Sequence, residues 1–107
     1  MNLLAWTIFV AAAILEVGGD AIMRHGLRTR GAGFILAGFL VLGFYGLVVN
    51  TVKWDFSRLL GVYVAVFAVV SVLFGRFIFK EQVPPATWIG LIPIIIGGLI
   101  IQFGSSR

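Results

Sequence analysis

The sequence predicts an all-α membrane protein: four transmembrane helices joined by short loops in a single domain spanning residues 1–107. Three observations carry this. Of the 107 residues, 61% are apolar and only 11% are charged. A soluble domain is about 45–50% apolar and about 25% charged, so this chain has too few charges to cover a water-facing surface. Second, the apolar residues fall into four runs of bilayer length, since a crossing takes about 20 residues. Third, four crossings use about 80 residues and leave roughly 27 for loops and tails, which excludes a soluble enzyme and a second domain.

The first run is Leu3 to Met23, interrupted by Glu16 and Asp20 and closed by a basic loop holding Arg24, His25, Arg28 and Arg30. It has no basic residue before it and continues past Ala11-Ala12-Ala13, so it is read as a span and not as a cleaved leader. The second run covers about 31–52 and contains Gly38, Gly43 and Gly46. Lys53-Trp54-Asp55-Phe56-Ser57-Arg58 is a polar turn whose two aromatics suit a headgroup interface. The third run covers about 59–79. Pro84 and Pro85 then stop one helix and start the next, because proline is tolerated in a first turn. The fourth run covers about 86–103, with Pro93 inside it to bend it. Short connections make sequential helices antiparallel neighbours.

Net charge is +4, with the basic residues lying between apolar runs, which points to membrane orientation and not to nucleic acid. Arg24, Arg28, Arg30, Arg76 and Lys80 share one side; Lys53, Arg58 and Arg107 share the other. That small bias favours termini outside and permits insertion both ways. Cysteine is absent and there is one histidine. His25 lies off the Glu16–Asp20 stripe and near water, so no metal site is expected. No nucleophile–base pair or cofactor motif is visible, so neither catalysis nor a cofactor is expected.

Glu16 is the most informative residue. It lies roughly 20 Å into the first helix, slightly past the midplane of a ~30 Å hydrocarbon core. An ionised carboxylate there must be paired, hydrated in a cavity or protonated. A carboxyl that alternates between the last state and a cation-bound one suits a proton-coupled carrier of positively charged compounds. The plainer reading is a structural carboxyl hydrogen-bonded to a neighbouring helix. Asp20 lies one turn on, on the same face, and Arg24 one turn further. Asp20 either pairs with Arg24 as an interfacial salt bridge or serves with it at the entrance to the Glu16 site. Ala12, Ala13, Gly18 and Gly19 let a helix or a ligand approach closely. Phe44, Tyr45, Tyr63 and Phe67 are candidate walls of a cation pocket. Tyr63 leads among them, because a hydrogen bond to Glu16 would satisfy both groups. Gly90 and Gly97, seven residues apart, offer a close seam between two copies of the fourth helix. Four helices enclose little space, so a transport pathway is expected to need two chains.

The stretch Ala13-Ile14-Leu15-Glu16-Val17-Gly18-Gly19-Asp20-Ala21-Ile22-Met23-Arg24 resembles the glutamate-bearing first helix of the small multidrug resistance family, in the drug/metabolite transporter superfamily. Phe79-Lys80-Glu81 is similar to that family's third loop, and Gly90 with Gly97 to its fourth-helix dimer seam. Leu15-Glu16-Val17-Gly18-Gly19, Gly43-Phe44-Tyr45-Gly46, Phe56-Ser57-Arg58-Leu59-Leu60 with Gly61-Val62-Tyr63-Val64, and Trp88-Ile89-Gly90 look closest to its YnfA-like (UPF0060) branch. The resemblance covers nearly the whole chain. It implies a proton-coupled exporter in the bacterial inner membrane, working as an antiparallel homodimer in which protons and a small cationic substrate compete for Glu16. It also puts the family's glycine after the glutamate on Gly19, at the binding site. Beside that, Tyr63 is expected to position Glu16 or close the pocket, with Phe44 and Tyr45 as its walls. The chain departs from the family pattern in its third helix. Leu60 and Tyr63 fall at the aromatic positions, and Ala65-Val66-Phe67 replaces the Gly-x-Gly hinge. Two other activities fit four such helices. One is a lipid-linked substrate flippase subunit using Arg24, Arg28, Arg76 or Lys80 on phosphate. The other is a non-transporting assembly partner in the membrane.

Overall fold

The computed structural model describes residues 3–104. Four α-helices follow in order: α1, Leu3–Thr29; α2, Ala32–Val49; α3, Phe56–Leu73, continued by a π-helical turn, Phe74–Ile78; and α4, Pro85–Gly104. All four spans are long and apolar enough to cross a membrane, with α3 and its π-turn counted as one. They form two helical hairpins, α1–α2 and α3–α4.

The boundaries correct the sequence reading in one respect. The basic stretch expected to be a loop, from Arg24 to Thr29, is helical, and α1 ends six residues later than the apolar run does. Arginine is a good helix former, and Gly26 is used for packing and not as a stop. At 1.5 Å per residue α1 is about 40 Å long, so its basic last turns extend beyond the hydrocarbon.

Two helix ends share a device. Arg30 and Lys80 have positive φ angles of 56° and 57°. Each lies just past a helix end, and the next residue's N–H bonds back into the helix: Gly31 N to Gly26 O at 2.9 Å, and Glu81 N to Gly75 O at 2.8 Å. This left-handed closure satisfies carbonyls at the end of the helix. The second closure spans one residue more because the π-turn precedes it.

In the first hairpin, glycines bring backbones together. A Cβ built at Gly26 would lie 2.8 Å from the backbone N of Ile35; one at Gly38 would lie 2.9 Å from the backbone N of Met23; one at Gly19 would lie 2.8 Å from Leu42 Cδ2. Each rung steps three or four residues back along α1 and equally far forward along α2, which fixes an antiparallel register. In the second hairpin, Gly98 meets Ala65 Cβ at 2.6 Å and Gly61 meets Ile101 Cδ1 at 2.7 Å, each measured to a Cβ built on the glycine. At the end of this hairpin Arg58 Nη2 donates to Gln102 Oε1 at 3.0 Å.

Candidate functional site

The glycine ladder of the first hairpin places the site. Three residues back from Gly19 on α1 is Glu16; three forward from Leu42 on α2 is Tyr45. The structure brings these two together. The Tyr45 hydroxyl lies within reach of the Glu16 carboxylate, and Asp20 is close enough to act on the same tyrosine by its charge. Both Glu16 and Tyr45 are half-buried, whereas Asp20 is exposed. A phenol donates one hydrogen bond and a carboxylate offers about four lone-pair sites. A phenol beside it can therefore orient the Glu16 carboxylate.

The other expected residues separate into groups. Gly19 is buried against Leu42 and Val41; its observed contacts are helix packing. Phe44, beside Tyr45, is 56% exposed on α2. Tyr63 belongs to the second hairpin, is 3% exposed, and has its ring 6.3 Å from that of Phe67. The Asp20–Arg24 salt bridge considered from spacing does not form. Among the described residues these two make no ion pair, and both side chains are exposed. An exposed ion pair gains little, so neither side chain is held by it. No group of three or more His, Cys, Asp or Glu among the described residues is arranged to hold a metal ion.

On α4 the glycines divide. Gly98 is taken up by α3, while a Cβ on Gly90 or Gly97 would have no atom within 4 Å. The pair expected to form the seam between copies is thus open within the chain.

Trp6 was passed over in the sequence. It shares the Glu16 stripe, through steps of three and four by way of Phe9 and Ala13. Its indole meets Phe9 edge-on at 6.2 Å, and its Nε1 is buried with no hydrogen-bond partner. The signal that would have found it is that stripe read from Glu16 towards the N-terminus.

Four apolar spans define a multi-pass membrane protein. The chain belongs to the YnfA/UPF0060 family, whose model, described as "Uncharacterised BCR, YnfA/UPF0060 family", matches residues 3–107. It is 32% identical over 99 residues to a UPF0060 membrane protein of Mycobacterium marinum, covering 90% of this chain and 89% of the relative. It is 36% identical over 101 residues to one of Saccharopolyspora erythraea, with 90% and 89% covered. It is 37% identical over 97 residues to one of Staphylococcus carnosus, with 88% and 89% covered. No solved structure matches the chain.

Proposed function

We propose that this protein is a proton-coupled exporter of small cationic or hydrophobic-cation compounds, acting as a homodimer in the bacterial inner membrane, with Glu16 exchanging a proton for substrate. The observation that carries the reading is the placement of Tyr45 opposite Glu16, one step along the glycine ladder of the first hairpin. A carboxyl at that depth is costly, and such acids mark ion and substrate pathways. A phenol beside it can orient the carboxylate for the exchange. Asp20, one turn nearer the water and exposed, suits the entrance, where it draws cations towards Glu16; Arg24 stands at the outer edge of that entrance. The open Gly90 and Gly97 support close packing of a second copy, through which two Glu16 carboxylates would share one pathway. Alternating access then follows from exchange between two arrangements of the copies around a midplane site.

The test is proton release. Purified protein at fixed pH is mixed with a candidate cation, and released protons are counted for the natural chain and for Glu16→Gln. Release from the natural chain alone supports the reading. Equal release from both overturns it. Electrical currents on proteoliposomes, with the same control, then identify the substrate.

A further inference from the structure

Arg58 is two residues inside the start of α3, about 3 Å along the helix, and Gln102 is correspondingly close to the end of α4. Both therefore lie where the hydrocarbon gives way to headgroups. Gln102 is only 7% exposed, and it accepts from Arg58 Nη2 at 3.0 Å. The guanidinium carbon lies 3.9 Å from the ring centroid of Trp54. Arg58 Nε is buried and has no hydrogen-bond partner.

Among the described residues this cluster lacks a negative charge. Gln102 and Trp54 are neutral. Asp55, three residues earlier, is exposed and makes no capping bond with its side chain. Among the described residues no carboxylate forms an ion pair with Arg58. The guanidinium is always charged and offers five donors, of which one is used. A half-buried charge left in this state is unfavourable unless an anion completes it. At this depth the abundant anion is phosphate, and a planar guanidinium matches phosphate oxygens with two parallel bonds. Trp54 fixes the plane of the guanidinium and Gln102 fixes one of its edges, so the group is oriented before any ligand arrives.

We propose that Arg58, set by Trp54 and Gln102, binds a phosphate anion at the membrane surface, supplied by the headgroup of an anionic phospholipid. Lys53, exposed in the preceding turn, adds positive charge on the approach. The proposal does not depend on the export reading.

The full-length protein in a sugar-headgroup detergent, free of phosphate, is titrated with short-chain phosphatidylglycerol. Bound lipid is counted by native mass spectrometry, and the thermal unfolding midpoint is followed in parallel. Phosphatidylcholine and inorganic phosphate form the comparison arms. The expected result is tight binding of one phosphatidylglycerol and a raised midpoint. Arg58→Lys, which keeps the charge but loses the paired bonds, should bind at least roughly tenfold more weakly. Arg58→Gln should not bind the lipid at that site, while Arg28→Gln should bind as the natural chain does. An equal rise with inorganic phosphate overturns the lipid as the source. An equal response to phosphatidylcholine, or undiminished binding by Arg58→Lys and Arg58→Gln, overturns the site. If Arg58→Gln does not fold, the Arg58→Lys comparison decides alone.

Discussion

The hydroxyl of Tyr45 on α2 lies within reach of the carboxylate of Glu16 on α1. The two residues face each other on the next rung of the ladder that Gly26, Gly38 and Gly19 set up between the helices. Tyr45→Phe keeps the ring and removes the only group of that side chain able to donate. The expected outcome is an intact fold with cation-driven proton release weakened about ten- to a hundredfold, the effect of one lost bond to a charged group. Release titrations alongside Glu16→Gln measure it, and Phe44→Leu, on the exposed face, should change release less.

Gly38→Ala places a methyl carbon 2.9 Å from the backbone N of Met23 and 3.1 Å from the carbonyl O of Gly19. Backbone cannot step aside as a side chain can, so the helices must part. Overpacking of this kind costs about 1–3 kcal/mol. Gly43→Ala, on the same helix, meets nothing within 4 Å and should be neutral or slightly stabilising through helix propensity. Unfolding midpoints in detergent should fall for the first variant and hold or rise for the second.

Gly97→Leu and Gly90→Leu each add a side chain where the chain itself has no neighbour. Helicity and monomer stability should be kept, and cross-linked dimer should fall sharply if the second copy packs there. Gly98→Ala should do the reverse. It crowds Ala65 at 2.6 Å, lowering the stability of the second hairpin before it affects association. Cross-linking yield and thermal unfolding, read together, separate the two effects.

Lys80→Gly relieves a left-handed backbone at φ 57°. For a residue with a Cβ that conformation costs roughly 1–2 kcal/mol. The glycine variant should unfold at an equal or higher temperature, its gain reduced by glycine's extra freedom in the unfolded chain. Lys80→Val, with a branched side chain at the same angle, should unfold lower. Arg30 at φ 56° should follow the same order.

Much of this structure was legible in the composition and in the spacing of charges. Four apolar runs gave four spans, and a lone acid near the middle of the first drew attention to Glu16. Four features were not legible. Helix α1 runs on to Thr29 because arginine-rich stretches are helical once nucleated, and hydropathy marks where a helix leaves lipid, not where it ends. The π-turn at Phe74–Ile78 has no signature in apolar periodicity over five residues. The place of Tyr45 opposite Glu16 is not legible, because depth alone does not say which helix face meets which. The ladder of glycines does, since Gly26 opposite Ile35 and Gly19 opposite Leu42 lead on to Glu16 opposite Tyr45. Arg58 was counted only for orientation, as its contact with Gln102 joins residues 44 positions apart.

The backbone contacts at Gly26 and Gly38 also limit how the first hairpin moves. Sliding requires a layer that yields, and between most helices flexible side chains provide it. Here peptide groups of one helix lie against the other with no such layer between them, so a shear of even one rung drives Cα atoms into carbonyls. At these two rungs α1 and α2 therefore resist sliding, and Glu16 and Tyr45 are expected to stay side by side when the hairpin moves.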